Sequence, residues 1–408
     1  MAELVVADGA AGDRGVLRIE ASQEELDELQ ARLGRTRLSP GVPNDGWTYG
    51  MNPEYLHQLV EYWRNEYDWR SQEAAMNRLE HFRVTIDGLP IHYVHARGKG
   101  PKPLPLIISH GWPWTFWDYR KIIEPLADPA SFGGDAADAF DVVIPSLPGY
   151  AFSSPLPRAG VNFWVTADVW ATLMTDVLGY ERWGAQGSDW GMFITGQLLH
   201  KYADRVVGGH VTGVMALDKF NPTLAYHPWS DFFRPLRHSV EPAARDDLRE
   251  WERRRAGHMA VHMTDPQSVA HAFSDSPAGL AGWWLQRRFA WGDCHGDLES
   301  QFSKTDLLDN LMLYWLTNTA GSSVRYYAEA TLNPWQPAHD RHPVIEAPIA
   351  FTFFAPDRPP GVAADPEQLA QYCNLAWIKH RPTGGHFVAL EEPDAVVEDI
   401  REFFRPRR

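Results

Sequence analysis

The chain has 408 residues, of which 44% are hydrophobic and 22% are charged, and its formal net charge at pH 7 is −15. This composition is typical of a globular protein that is large enough for a core and a further subdomain. The negative charge, with no basic cluster to offset it, argues against nucleic acid or a membrane surface as a partner. Two cysteines are too few for a disulfide framework or a four-cysteine metal site, so the sequence favours a cytoplasmic location.

The first 95 residues predict two helices and a β-hairpin. Acidic residues interrupt the segment 1–17, where we therefore expect neither a signal peptide nor a membrane span. Apolar residues recur at helical spacing in residues 20–36 and in Pro53–Asp68. Further on, two alternating runs within His81–His95 flank Asp87-Gly88, a dipeptide that favours a tight hairpin turn.

The pattern then changes to short, continuously apolar strands separated by helical stretches. Strands are expected at Leu104–Ser109, at Asp141–Pro145, immediately before Asp189 and at Val206–Val214. Such runs are typical of parallel strands that are covered on both faces. They predict an α/β protein with a mostly parallel central sheet.

A long polar, aromatic and helical insertion separates these strands from the last part of the sheet. It includes the charged stretch Ala243–Arg255, which we interpret as a solvated helix face, and strand-like runs return at Ile349–Phe354 and Ala376–Ile378. The chain ends in a predicted helix at Pro393–Phe404. The expected divisions are an N-terminal wrapping region (1–95), the first core segment (96–216), a helical lid (217–321) and the second core segment (322–408).

The most informative motif is Gln186-Gly-Ser-Asp189-Trp-Gly191, which stands between an apolar run and a helical stretch. A strand, a sharp turn with small neighbours and a helix form a nucleophile elbow. Here the apex is Asp189. A carboxylate that attacks carbon forms an alkyl ester, which suits strained rings or good leaving groups such as epoxides and alkyl halides. The alternative is a turn aspartate that caps the following helix.

An aspartate nucleophile needs oxyanion donors and a base that activates water. The backbone N–H groups of Trp190, directly after the nucleophile, and of Trp112, after the first central strand, are the expected donors. His386 follows two glycines late in the chain and is the expected base. Asp357 ends a late strand and is expected to orient that histidine.

The remaining polar residues are weaker candidates. Asp365 and Glu367 compete with Asp357, but they stand in a proline-rich loop. His258 and His262 are four residues apart, as metal ligands on a helix can be, yet no third ligand has matching spacing. The sequence also has no phosphate-binding or dinucleotide-binding fingerprint. We therefore expect no metal and no cofactor.

Taken in chain order, these residues resemble the epoxide hydrolases of the microsomal and juvenile-hormone type. The resemblance covers nearly the whole chain, and its motifs are Trp47-Thr-Tyr-Gly50, Ile86-Asp-Gly-Leu-Pro-Ile-His92, His110-Gly-Trp-Pro113, Pro145-Ser-Leu-Pro-Gly-Tyr150, Gln186–Gly191, Asp275-Ser-Pro-Ala-Gly-Leu280 and Gly384-Gly-His-Phe387. It implies an α/β-hydrolase fold with an N-terminal region that wraps the core. The implied activity is the hydrolysis of a small-molecule epoxide by water to a vicinal diol.

The resemblance also implies a proton donor for the epoxide oxygen, which in this family is a lid tyrosine. The match falls on Tyr327 rather than Tyr326. Where the family has a second lid tyrosine, this chain has His258, which either donates in its place or has lost the role. This departure and the bulky segment Trp114–Trp117 suggest a specialised substrate, such as a bacterial secondary metabolite.

Two other functions stay open at this point. A haloalkane dehalogenase shares the aspartate nucleophile and the tryptophan after it, although the N-terminal region and Tyr327 argue against this class. A pocket recruited for binding, or for non-hydrolytic epoxide opening in a biosynthetic pathway, would account for His258. Members of the family are often dimeric, so the resemblance allows a homodimer.

Overall fold

The computed structural model describes residues 14–42, 46–215, 217–220, 240–362 and 365–408. These residues form a nine-stranded sheet with the order β1-β2-β3-β5-β4-β6-β7-β8-β9. Its strands are β1 (Gly15–Leu17), β2 (His81–Ile86), β3 (Leu89–Ala96), β4 (Leu104–Ser109), β5 (Phe140–Pro145), β6 (Trp183–Ser188), β7 (Val206–Thr212), β8 (Ile345–Phe354) and β9 (Cys373–Arg381). The pairs from β1 to β5 along the sheet are antiparallel, and all pairs beyond β5 are parallel. The mostly parallel α/β sheet is therefore confirmed.

Helices cover both faces of the sheet and its end near Asp189. In the described residues they are α1 (Gln23–Gly34), α2 (Pro53–Asn65), α3 (Trp69–Met76), α4 (Arg120–Ala127), α5 (Phe163–Thr172), α6 (Trp190–Lys201), α7 (Arg245–Arg255), α8 (Gly257–Thr264), α9 (Pro266–Asp275), α10 (Pro277–Trp291), α11 (Lys304–Leu316), α12 (Ala320–Leu332), α13 (Pro366–Ala370), α14 (Val388–Glu391) and α15 (Pro393–Phe404). The start of α2 illustrates how the sequence specifies where a helix begins: the side chain of Asn52 caps the helix and Pro53 occupies its first turn. None of the described helices combines the length and the apolar character needed to cross a bilayer.

The lid helices pack against each other and close over the carboxyl ends of the strands. Helix α12 packs on α8 and α9, and the chain returns to the sheet only at Ile345. The expected boundary between residues 321 and 322 thus falls inside α12. Ligands of open α/β sheets bind at the carboxyl ends of the strands, so these helices form the roof of any site there.

The N-terminal hairpin has the predicted turn and joins the core through a buried chain of hydrogen bonds. Asp87 and Gly88 have φ values of 49° and 73°, as a two-residue turn requires. The Nε2 atom of His81 lies 2.8 Å from the carbonyl oxygen of Met76, and its Nδ1 atom lies 2.9 Å from Nε2 of His92. Because a carbonyl only accepts, neutral His81 donates from Nε2 and accepts from His92 at Nδ1.

This buried histidine pair predicts a loss of stability in weak acid. Burial lowers the pKa of His81 from the ordinary value of 6.5 to about 4. The unfolded chain therefore takes up a proton first as the pH falls from 6.5 towards 4, and in that window the free energy of unfolding decreases by on the order of 2 kcal/mol. Denaturant unfolding between pH 8 and pH 4 measures this, and His81→Gln is expected to flatten the dependence. The exposed His271, changed to Gln, serves as the control, and equal slopes for wild type and His81→Gln would contradict the assignment.

Candidate active site

Asp189 lies at the apex of a sharp turn between β6 and α6. Its φ and ψ are 53° and −123°, a strained conformation for a residue other than glycine. A Cβ atom at Gly191 would lie 2.0 Å from the carbonyl oxygen of Ser109, so only glycine permits this close approach. The Asp189 side chain makes no capping hydrogen bond to α6. The helix-cap alternative is therefore wrong, and the carboxylate is directed elsewhere.

The two oxygens of the Asp189 carboxylate contact different partners. Oδ1 accepts a hydrogen bond of 2.8 Å from the backbone N–H of Trp112, and Oδ2 lies 3.1 Å from Nε2 of His386. A Cβ atom at Gly111 would lie only 1.9 Å from Oδ1. The loop after β4 therefore brings its backbone against the carboxylate because residue 111 has no side chain. Trp190, whose backbone N–H is the other expected donor, begins α6.

His386 links Asp189 to Asp357. Its Nδ1 atom lies 3.0 Å from Oδ2 of Asp357, whose Oδ1 accepts a 2.9 Å hydrogen bond from Arg255. Burial would lower the pKa of His386, but the charges of Asp357 and Asp189 outweigh burial and raise the pKa to about 10. Burial likewise opposes ionisation of Asp357, but His386 and Arg255 hold its pKa below the ordinary value. The resting site is thus an imidazolium between two carboxylates.

The competing acid at position 365 has a local role instead. Asp365 caps the short helix α13 by accepting from the backbone N–H of Glu367.

Arg255 has a position that the sequence did not suggest, because it ends the charged stretch that we interpreted as a solvated helix face. Its ion pair with Asp357 joins two residues 102 positions apart, and no local pattern encodes such a contact.

A partly buried glutamate fixes the loop that carries His386. The carboxylate of Glu391 accepts from the backbone N–H groups of Gly385, Phe387 and Asp293 at 2.9, 2.8 and 2.7 Å. Burial raises its pKa, and these three donors offset part of that effect. Because both chain neighbours of His386 are held, the imidazole has little freedom to leave the line between the two aspartates. The sequence signal for this residue is weak, as it is one acid among several near the C-terminus.

The carboxylate of Asp189 faces a cavity of about 150 Å³. Tyr327 lines it and packs edge-on against the ring of Trp190, with ring centroids 4.5 Å apart. The hydroxyl of the neighbouring Tyr326 instead lies 2.7 Å from Oγ1 of Thr166. Of the two adjacent tyrosines, the one singled out by the sequence resemblance is therefore the one that lines the cavity.

His258 also lines this cavity and is 5% exposed. Its ring stacks on Trp112, with centroids 5.2 Å apart and planes 10° apart. Burial, together with His262 and Arg287, lowers the pKa of His258 well below its ordinary value. The ring is therefore neutral near pH 7, which disfavours a strong acid at this position.

His262 is held by the lid rather than presented as a ligand. Its Nε2 atom accepts a 3.0 Å hydrogen bond from Nε1 of Trp283. Within the described residues, no three or more His, Cys, Asp or Glu side chains are grouped so as to hold a metal ion.

The sheet, the aspartate elbow and the late histidine together define an α/β-hydrolase. A family model described as "alpha/beta hydrolase fold" matches residues 105–317, and another described as "Epoxide hydrolase N terminus" matches residues 16–119. The chain is 36% identical over 393 residues to a "Putative epoxide hydrolase" of Stigmatella aurantiaca, which covers 96% of this chain and 84% of the relative. It is 33% identical over 411 residues to "Epoxide hydrolase 1" of Oryctolagus cuniculus, with 95% and 87% covered. The chain belongs to the epoxide hydrolase family.

A solved structure agrees with this membership. The juvenile hormone epoxide hydrolase from the silkworm Bombyx mori superimposes with a TM-score of 0.80 at 25% identity, over 97% of this chain and 95% of that chain. The predicted resemblance and the predicted epoxide hydrolase activity are thus confirmed. These relatives lend no support to the haloalkane dehalogenase alternative or to a non-hydrolytic role.

Proposed function

We propose that this epoxide hydrolase opens its substrate through an alkyl ester on Asp189 and then hydrolyses that ester to a vicinal diol. The observation that supports this best is the position of the carboxylate, which lies between the Trp112 N–H and His386 and faces the cavity lined by Tyr327. The proposed nucleophile, base and acid thus all border one small cavity.

In the first step, Oδ2 of Asp189 attacks a ring carbon and the carbon–oxygen bond of the epoxide breaks. The hydroxyl of Tyr327 gives its proton to the departing oxygen, which remains attached to the substrate. Neutral His258 is a second candidate donor, which would hydrogen-bond to the same oxygen from a ring N–H. Oδ1 becomes the carbonyl oxygen of the ester and keeps its hydrogen bond to Trp112.

In the second step, water attacks the ester carbon and His386 takes a proton from that water. Ester formation removes the negative charge of Asp189, which is one of the causes of the raised pKa of His386. The pKa of the imidazole then falls and the imidazole releases its proton to solvent, so the base becomes available only once the ester exists. Asp357 orients the imidazole and stabilises the imidazolium, and the N–H groups of Trp112 and Trp190 stabilise the oxyanion at Oδ1.

The collapse of the tetrahedral intermediate restores the free enzyme. The acyl carbon–oxygen bond breaks, the diol oxygen takes the proton from His386, the carboxylic acid left at Asp189 passes its proton to His386, and Tyr327 is reprotonated from solvent. We also propose that the lid extends to Leu332 at its C-terminal end, because α12 packs with the lid helices. A homodimer, which the family resemblance allows, would be measured by light scattering of the purified protein.

Oxygen labelling distinguishes the ester route from direct attack by water. In a single turnover with excess enzyme in H₂¹⁸O, the diol is expected to carry no label, because its new oxygen comes from Asp189. The tryptic peptide that contains Asp189 is expected to gain one ¹⁸O, which peptide mass spectrometry detects. Label in the diol during that first turnover would contradict the ester mechanism.

A further inference from the structure

A second, larger cavity adjoins the catalytic one. It measures about 830 Å³ and shares Trp251 and Arg255 with the catalytic cavity. We call it the vestibule; its walls come from Trp47–Gly50, from the end of α7 and from residues 286–296 of α10 and the following loop. A catalytic cavity of about 150 Å³ encloses little more than an epoxide ring and a small substituent. Binding sites for larger ligands have volumes of roughly 300–1,000 Å³, so the rest of a substrate would occupy the vestibule.

The vestibule is basic although the protein is acidic. Four arginines contribute to it, namely Arg253, Arg254, Arg255 and Arg287, and none of its described lining residues is acidic. The vestibule is thus locally positive, whereas the net charge of the whole chain is −15. Such a local excess of one sign attracts ligands of the opposite sign.

Three of these arginines already have carboxylate partners. Arg253 and Arg254 share Glu250 on the exposed side of α7, at 2.7 and 2.6 Å, and Arg255 pairs with Asp357 at 2.9 Å. Carboxylates of the protein itself thus already balance much of the positive charge of these three arginines.

Arg287 differs from these three because it is buried and has no acidic partner among the described residues. It is 9% exposed, and its Nη1 atom donates a 3.1 Å hydrogen bond to the carbonyl oxygen of Arg255. No carboxylate of the described residues lies within ion-pair distance of it, whereas the adjacent Arg288 pairs with buried Asp118 at 2.8 Å. A buried charge without a counter-ion is costly, so an incoming anion would offset that cost.

The neighbourhood of Arg287 also connects it to the catalytic site. Burial lowers its pKa to about 10, and the nearby Tyr327 acts in the opposite direction, so the guanidinium stays charged at neutral pH. Between the two cavities, Trp251 supplies an apolar wall, and Trp47 stacks on Phe289 at the vestibule with ring centroids 3.9 Å apart. An apolar or aromatic linker fits such a surface.

We propose that the substrate is an epoxide that carries a carboxylate, and that Arg287 binds this carboxylate in the vestibule while the ring lies against Asp189. The planar guanidinium presents paired N–H donors, which match the two oxygens of a carboxylate. This substrate class rests on the ring opening at Asp189 that is proposed above.

A matched pair of probes tests the proposal. 4-(Glycidyloxy)benzoate carries the carboxylate, and its methyl ester has the same epoxide and ring without the charge. The wild type is expected to favour the acid over the ester in kcat/KM by about tenfold or more, and Arg287→Gln is expected to abolish that preference. Arg287→Lys is expected to keep part of it. Arg249→Gln is the control, since Arg249 is an exposed residue of α7 that pairs with Asp246 and lines neither cavity.

Several results would overturn the proposal. They are equal rates for acid and ester in the wild type, or an equal loss on both probes in Arg287→Gln. If Arg287→Gln does not fold, the salt dependence of the wild type still tests the proposal. Its kcat/KM for the acid is expected to fall with added salt, while its kcat/KM for the ester stays level. A flat salt response for the acid would then reject the substrate class. Failure of the Asp189 mechanism itself would look different, since no neutral epoxide would form an ester either.

Discussion

The His386→Gln variant is expected to stop at the ester and to lose turnover by about 10³-fold, within the range for loss of a general base. Glutamine cannot take the proton from water, whereas Asp189 can still attack the ring. Intact-protein mass spectrometry after separate incubations with aryl and alkyl epoxides and with one haloalkane is expected to show, for the epoxides, an adduct equal to the whole epoxide mass. The double variant Asp189→Asn/His386→Gln is expected to show none.

The matched control for this variant is His380→Gln. His380 is exposed on β9 and lines neither cavity, so its replacement is expected to preserve turnover and to trap nothing. Normal turnover by His386→Gln would show that the base lies elsewhere. An adduct formed only from a haloalkane, with loss of the halogen, would contradict the epoxide-opening mechanism.

The second large effect is expected for Tyr327→Phe, which removes the proposed proton donor. Ring opening is expected to slow by about 10²–10³-fold, because the departing oxygen then leaves as an alkoxide. Single-turnover kinetics of ester formation, measured in the His386→Gln background, isolate this step. His258→Asn is expected to slow it by less than about tenfold, because neutral imidazole is a weak donor.

Tyr326→Phe is the control for Tyr327→Phe. It deletes a hydroxyl that bonds to Thr166 outside the cavity, so ring opening is expected to be unchanged. The free energy of unfolding is instead expected to decrease by about 1 kcal/mol, because one hydrogen bond is lost. If His258→Asn slowed ring opening as much as Tyr327→Phe, the histidine would be an equal partner in protonation.

Local sequence patterns were sufficient to predict these elements and to single out Asp189. The apolar runs predict β4, β5 and β6, and the terminal helix Pro393–Phe404 has the bounds expected from its sequence. Asp189 is identifiable because glycines on both sides permit a turn that few other sequences can adopt. The order of nucleophile, acid and histidine along the chain pointed to Asp357 and His386 for the same reason, since that order accompanies the fold.

The sequence by itself therefore determined the α/β sheet, the aspartate elbow and the family. Only the tertiary structure decided which distant residues meet: His386 reaches Asp189 across 197 positions, and Arg255 reaches Asp357 across 102. Periodicity specifies the face on which a side chain lies, but it does not specify the partner that a different segment brings to that face. For that reason the contact of Arg255 with Asp357, the burial of Arg287 with no acidic partner among the described residues, and the hydrogen bonds of Glu391 to the loop of His386 emerged only from the folded chain.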